Sequence, residues 1–377
     1  MIYFDNAATG GRKPDCVLTA VNSAIKVCAN AGRSGHKLSL SCLSLVEDCR
    51  HTLCDFFDGY SYDRVVFTKN CSEGLNIALF GILKEGDHVI LTCMEHNSVL
   101  RPLQFLKSRG VIDYDIIPTI GDKEDGKGKL DVKTLKSKIK PNTKLFCITS
   151  ASNVNGMIPN LLEIKKLLPK SALLLCDGAQ GGGHFPIKMQ EAGIDILTIA
   201  GHKGMMGIQG SGALLFSERA EIEPFTYGGT GSISLSLDMP DFYPDKLEVG
   251  TLSFPAIASL LEGTRYLKSR LQETGEKLSH LTNYFLQRIS EIKEYTPYSK
   301  SNPCGIVSFK HHAVQSERLA DLLSSKYNIA TRGGLHCAPF AHEDLGTLDG
   351  GLVRVSFSAF NTEKEIDTLL FALKELK

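Results

Sequence analysis

What this 377-residue chain lacks narrows its chemistry first. Its 11 cysteines are odd in number and irregularly spaced, and no C-x-x-C occurs, which argues against a disulfide framework and against a zinc ribbon. Most of these thiols are expected to be small buried hydrophobes, and no metal centre is expected. Neither sign of charge dominates. Lys plus Arg is 42 and Asp plus Glu is 42, without the basic excess of a nucleic-acid or anionic-membrane binder. No apolar stretch approaches the roughly 18–20 residues needed to span a bilayer. There is no internal repeat and no low-complexity linker. The start, MIYFDN, lacks a basic region followed by an apolar run and a small-residue cleavage site, so the expected location is the cytoplasm.

What is present reads as an α/β protein. Seven short apolar runs, Arg64–Thr68, His88–Thr92, Tyr114–Pro118, Leu145–Ser150, Leu173–Asp177, Ile196–Ala200 and Gly212–Phe216, alternate with amphipathic segments such as Leu161–Leu168. Runs apolar throughout suit strands covered on both faces, hence a mainly parallel seven-stranded sheet with crossover helices. Gly121 to Gly128 reads as a charged, glycine-punctuated loop. From about Pro255 the texture changes to long helices (256–268, 278–292, 316–327, 363–376) around strands near 305–309 and 351–357, as in a smaller α+β domain. The expected division is 1–25 as an N-terminal segment joined to the small domain, 26–255 as the large domain and 256–377 as the small one. At this length, two or three domains are comfortable.

The chemistry-bearing residues sit where these strands end. Lys203, in Ala200-Gly201-His202-Lys203-Gly204, follows the Ile196–Ala200 run, at the carboxyl edge where open α/β sheets bind ligands. A lysine there, if desolvated, can form a Schiff base, although such lysines are commonly solvated surface residues. Asp177 ends the neighbouring run, where a carboxylate could hold a pyridinium nitrogen protonated or merely cap a helix. Thr68-Lys69-Asn70-Cys71-Ser72-Glu73-Gly74 opens a helix, suited to a phosphate through free N–H groups and the Ser72 hydroxyl, or to a plain capping box with Ser72 at the cap. His96 lies just past a strand end, where it could stack on a ring or be structural, and Asn153 alone is an ordinary turn residue. Cys337 lies in Thr331-Arg332-Gly333-Gly334-Leu335-His336-Cys337-Ala338-Pro339; the glycines permit a sharp bend, and Arg332 and His336 could stabilise a thiolate. Arg354 could bind a carboxylate with two parallel bonds, or be a buried structural arginine.

In combination and order, these motifs resemble the class V, fold-type I enzymes that use pyridoxal phosphate (PLP), and within them the cysteine desulfurases and selenocysteine lyases. The resemblance runs over essentially the whole chain, from Asp5-Asn6-Ala7-Ala8-Thr9 through His36, Ser72-Glu73-Gly74, Glu95-His96, Ser152-Asn153-Val154-Asn155-Gly156, Asp177-Gly178-Ala179-Gln180, Gly201-His202-Lys203 and Gly250-Thr251 to the cysteine loop and Arg354. It implies that Lys203 binds PLP covalently, that Asp177 pairs with the pyridinium and that His96 stacks on the ring and relays protons. It further implies that Gln180 and Asn153 bond the ring oxygen or the substrate, and that Cys71, Ser72 and His202 belong to the phosphate site. Thr251 would reach the phosphate of a neighbouring subunit, giving a homodimer with shared active sites.

The cysteine loop is similar to that of the second desulfurase group, Arg-x-Gly-His-His-Cys-Ala. Cys337 would then take sulfur from L-cysteine as a persulfide, releasing L-alanine, with Arg354, Asn153, His36 and Arg332 near the substrate. L-selenocysteine is the alternative substrate, and an acceptor protein would remove the sulfur or selenium. Three positions depart from the family: Cys71 stands where a threonine is usual, Ala200 where a serine is usual, and Leu335 where a histidine is usual. Two other readings remain: a same-fold aminotransferase or decarboxylase that does not use Cys337, and a sulfur-carrier or assembly subunit with little turnover.

Overall fold

The computed structural model describes every residue except Cys28, residues 121–128 and Lys377. The expected glycine-punctuated loop lies outside the described residues. Seven strands form one sheet in the order Val65–Thr68, Gly212–Phe216, Ile196–Ala200, Leu173–Asp177, Thr143–Thr149, Asp87–Thr92, Ile112–Ile117. Only Gly212–Phe216 runs antiparallel to its neighbours.

Alternate residues of each strand serve opposite faces. Leu173 and Leu175 pack on one side with Leu75, Leu79, Val99 and Leu103 from helices Cys71–Ile82 and Asn97–Ser108. Leu174 and Cys176 pack on the other with Val46, Leu53 and Phe57 from helix Lys37–Phe57. Both faces are covered, so the strand interiors are largely apolar, with most polar side chains at strand ends and on the edge strand Ile112–Ile117.

A second sheet, Tyr295–Pro297, Ile306–His311 and Val353–Ser356, is antiparallel and three-stranded. Its own core joins Phe309 and Val355 of the sheet to Phe285, Leu319, Leu323 and Leu369 from the surrounding helices Leu271–Ile289, Ser316–Tyr327 and Glu363–Glu375. The chain start divides its contacts. Ile2–Tyr3 pairs in parallel with Ile329–Ala330, and Phe4 enters the smaller core, whereas helix Asp15–Lys26 packs on helix Phe254–Lys268. That last helix differs from the sequence expectation of a small-domain element. Its Ile257, Leu260, Leu261 and Leu267 point into the large-sheet core, because its apolar face matches helix Lys37–Phe57. No helix among the described residues is long and apolar enough to cross a membrane.

Candidate active site

Strands Thr143–Thr149 and Leu173–Asp177 end in register, Thr149 opposite Asp177, and Asp177 lies opposite Thr198 of strand Ile196–Ala200, which runs on two residues further. Chain leaving these ends, together with the start of helix Cys71–Ile82, encloses a cavity of about 70 Å³. Of the residues singled out in sequence, Cys71, Ser72, His96, Asn153, Asp177, Gln180, His202 and Lys203 line it. Asn70, Ser98, Thr149 and Ala179 line it as well and were not anticipated. Ser98 and Thr149 had a signal, since each lies in or beside a strand-end motif.

Burial holds the Lys203 amine below the usual lysine pKa, with the negative charge of Asp177 pulling the other way and Arg354 and Arg332 adding to the depression. Asp177 is buried, and its Oδ1 accepts from Ala179 N at 2.9 Å in a turn. The next helix starts only at Met189, so Asp177 caps none. The helix Cys71–Ile82 is capped by Asn70, whose side chain accepts from Glu73 N. Ser72 is therefore a first-turn residue rather than the cap, and first-turn N–H groups have no intrahelical partner. Its hydroxyl meets Ser98 Oγ at 2.6 Å.

His96 Nδ1 accepts from Ser98 N, which caps helix Asn97–Ser108 and leaves the ring proton on Nε2. Burial pushes this imidazole down to about 4, so it is neutral near pH 7. His202 is likewise brought to about 4 by burial and by the charges of Lys203 and Lys13, and its Nδ1 lies 3.0 Å from Thr9 Oγ1. Gln180 donates to Ala7 O through Nε2, while its buried Oε1 has no partner.

The cysteine loop is tied to both walls of this cavity. Asn97 N donates to Cys337 O at 2.7 Å, Asn153 Nδ2 donates to His336 O at 2.7 Å, and Arg332 Nη2 lies 3.6 Å from Cys337 Sγ. Gly333 is required here, because a Cβ would stand 2.5 Å from Ser316 O. Arg354 is almost fully buried, with Nη2 on Asp5 Oδ1 at 2.9 Å, Nη1 on Asn153 O at 2.9 Å and Nε without a partner. The Asp5 anchor has no sequence signal, being 349 residues away.

Two sequence candidates, Cys71 and His36, are placed differently from expectation, and Thr251 lies away from this cavity. The Cys71 thiol is turned to Asp177 and Thr198, at 3.2 and 3.1 Å, because the first helical turn aims it inward. His36 does not join the group; it is exposed and caps helix Lys37–Phe57 by accepting from Ser39 N. Thr251 is exposed and lines a separate cavity of about 260 Å³ with Lys69, Glu73 and Glu248. Among the described residues no cluster of three or more His, Cys, Asp or Glu could hold a metal ion.

The chain and its fold have counterparts in known proteins. The sequence profile described as "Aminotransferase class-V" matches residues 2–369. A probable cysteine desulfurase of Pyrococcus abyssi is 32% identical, over all of this chain and 94% of its own length. A cysteine desulfurase of Escherichia coli O157:H7 is 29% identical, over all of this chain and 93% of its own. The apo structure of a cysteine desulfurase from Thermococcus onnurineus superposes with a TM-score of 0.89 at 31% identity, covering all of this chain and 94% of that one. On the span of the profile match and the identity to these relatives, the chain belongs to the aminotransferase class-V family.

Proposed function

We propose that the protein is a PLP-dependent cysteine desulfurase, converting L-cysteine to L-alanine and holding the sulfur as a persulfide on Cys337. The observation that carries it is the convergence of a near-buried amine, Lys203, and a buried carboxylate, Asp177, on one small cavity whose lining residue Asn153 is hydrogen-bonded to the cysteine loop, although Cys337 itself does not line it. The polar groups fit the cofactor: Gln180 Oε1 is buried without a partner, and the first turn of Cys71–Ile82 offers N–H groups to a phosphate. Lys203 would hold it, with Asp177 at the ring nitrogen, His96 against the ring, and Ser72 and His202 at the phosphate. Bound there, PLP would supply an electron sink for the substrate's Cα–H bond.

The chain's own groups do the rest. Arg354, pinned by Asp5 and Asn153, offers its free Nε and one hydrogen on Nη2 to the substrate carboxylate, the side-on geometry that guanidinium provides. Lys203 Nζ, kept below its usual pKa, takes the Cα proton. The neutral His96 carries hydrogen on Nε2 and is available as a proton relay. Cys337 Sγ, beside the Arg332 guanidinium, accepts the substrate's sulfur; the sulfur–carbon bond breaks, a sulfur–sulfur bond forms, and L-alanine leaves. An acceptor protein then removes the sulfur.

We further read the active form as a homodimer. Thr251 lies outside the Lys203 cavity of its own chain, and Leu235 and Leu237 are fully exposed, an unusual placement for leucine on a lone protomer.

The test is alanine formation from L-cysteine by wild type and Cys337→Ser. The variant should keep its cofactor colour and lose roughly a hundredfold or more of turnover. Undiminished turnover would remove Cys337 from the reaction. Alanine release from L-selenocysteine in parallel decides between the two substrates.

A further inference from the structure

The first residue of helix Cys71–Ile82 has a contact that phosphate binding does not use. Cys71 Sγ lies 3.2 Å from Asp177 Oδ1 and 3.1 Å from Thr198 Oγ1. A thiol owns one hydrogen, and a carboxylate can only accept. The assignment follows: the Thr198 hydroxyl donates to sulfur, and the Cys71 S–H donates to Asp177. Oδ1 also accepts from Ala179 N, so one carboxylate oxygen is held by two donors. Among the described residues nothing bonds Oδ2. The two oxygens of Asp177 are thereby made unequal, one anchored in the protein and one left to the cavity.

We propose that Cys71 is a positioning residue whose thiol, braced by Thr198, locks the Asp177 carboxylate so that Oδ2 is presented to the cofactor's ring nitrogen. This rests on the PLP reading above. A separate observation says that the same cavity is built for a ligand: the Gln180 carbonyl oxygen, buried and unpartnered, lines it too. Burial, reinforced by the Asp177 charge, pushes the Cys71 thiol well above the ordinary thiol range, so it stays a donor and not a second anion. The other ionisable groups around Asp177 are Lys203 beyond strand Ile196–Ala200, and His96 and Glu95 beyond strand Asp87–Thr92. Cys147 and Cys176 also feel its charge, but both are buried thiols raised far above their usual pKa.

The experiment loads wild type, Cys71→Ala, Cys71→Ser and Thr198→Val with pyridoxal 5'-phosphate. It reads two quantities that do not depend on turnover: the cofactor's dissociation constant and the pH midpoint of its visible absorption band. Losing the donor frees the carboxylate to rotate, so Cys71→Ala should bind PLP roughly three- to tenfold more weakly. Its midpoint should move upward, because a carboxylate stripped of a donor presents more negative charge to a bound cation. Cys71→Ser, with a stronger donor at the same place, should restore both values. Thr198→Val should move them the same way by less.

Cys71→Ala and Thr198→Val matching wild type in both quantities would overturn the proposal. So would Cys71→Ala and Cys71→Ser displaced alike, since that assigns the sulfur a packing role. Should Cys71→Ala fail to fold, Cys71→Ser and Thr198→Val carry the same decision. A wild type that stays colourless with PLP sinks the underlying cofactor reading, a result distinct from a coloured wild type with an indifferent Cys71→Ala.

Discussion

Asp177 and Lys203 stand at or just beyond the ends of strands buried on both faces, whereas Cys337 stands on a loop whose backbone is held in a costly shape. His336 and Cys337 are consecutive non-glycine residues at φ 49° and 59°. Each such left-handed residue costs about 1–2 kcal/mol. Side-chain and backbone bonds from Asn97, Asn153 and Leu352, each worth about 1 kcal/mol, offset that cost without exceeding it by much. The sheet side is thus fixed by the cores packed on both faces of the large sheet, and the sulfur side by a few local bonds. That difference suits their tasks. In the proposed reaction the amine and carboxylate hold one geometry, while a persulfide sulfur would come in to the substrate and go out to an acceptor.

The sharpest break of this comparison is at the fixed side. Lys203→Ala should abolish the visible cofactor band and lower alanine formation at least about a thousandfold, because no other described amine lines the cavity. Absorbance spectra and alanine assays on the same preparation check it. Set beside Cys337→Ser, which should lose turnover and keep its colour, the pair separates the two regions by readout. A colourless Cys337→Ser would show that the loop also holds the cofactor.

The loop's weakness extends to the histidines behind it. His342 is fully buried, its ring 5.6 Å from that of His336, with Nδ1 on Thr347 Oγ1 and Nε2 unpartnered. His336 donates through Nε2 to Leu352 O, leaving its buried Nδ1 bare. Burial brings His342 down to about 4 and His336 well below its ordinary value. Unfolded imidazoles titrate near 6.5, so below that pH the unfolded state binds protons that the folded state refuses. Stability is therefore full above about 6.5 and falls as pH drops towards 4, by at most about 1.4 kcal/mol per pH unit for each such histidine. Thermal melts of His342→Asn between pH 7 and 5 should show a shallower acid slope than wild type, and an identical slope would mean that this ring titrates normally.

The strand ends that set the site were readable because their chemistry is local: Asp177 closes an apolar run, and Lys203 follows one by three residues. Limits of other elements were not. The run expected at 114–118 is a strand over Ile112–Ile117, because it lies at the sheet edge and tolerates Asp113 and Asp115, which pair there with Lys107, Lys138 and Lys140. The helix expected over 161–168 is shorter, Leu161–Lys165, and Pro169 keeps helical backbone from reaching Leu168. In the site, the missing knowledge was directional. Nothing in the residue string says that Cys71 aims at Asp177, that Asp5 anchors Arg354, or that the backbone of Asn97 holds Cys337, since these contacts are made by tertiary packing and one of them by a main-chain group.

The sheet side has its own buried titratable group, and it answers pH in the opposite direction. Glu95 Oε1 accepts from Thr92 Oγ1 at 2.5 Å and from Thr149 N at 3.0 Å, tying together two adjacent strand ends beside His96, while Oε2 has no partner. Burial pushes this carboxyl up to about 8, with the Asp177 charge adding and the two donors opposing. Between about 4.5 and 8 the folded state keeps a proton that the unfolded state has released, so this group's contribution is present at low pH and is lost as pH rises through that window. Glu95→Gln retains the acceptor oxygen and removes the titration. It should change stability at pH 7 by no more than about 1 kcal/mol and flatten the loss between pH 7 and 8.5, whereas Glu95→Ala should cost about 2–3 kcal/mol by stranding both donors. Denaturant unfolding at the two pH values checks this. A Glu95→Gln variant whose alkaline loss matches wild type would mean that the carboxyl is already ionised at neutrality, and the contrast between an acid-sensitive loop and a base-sensitive sheet edge would fail.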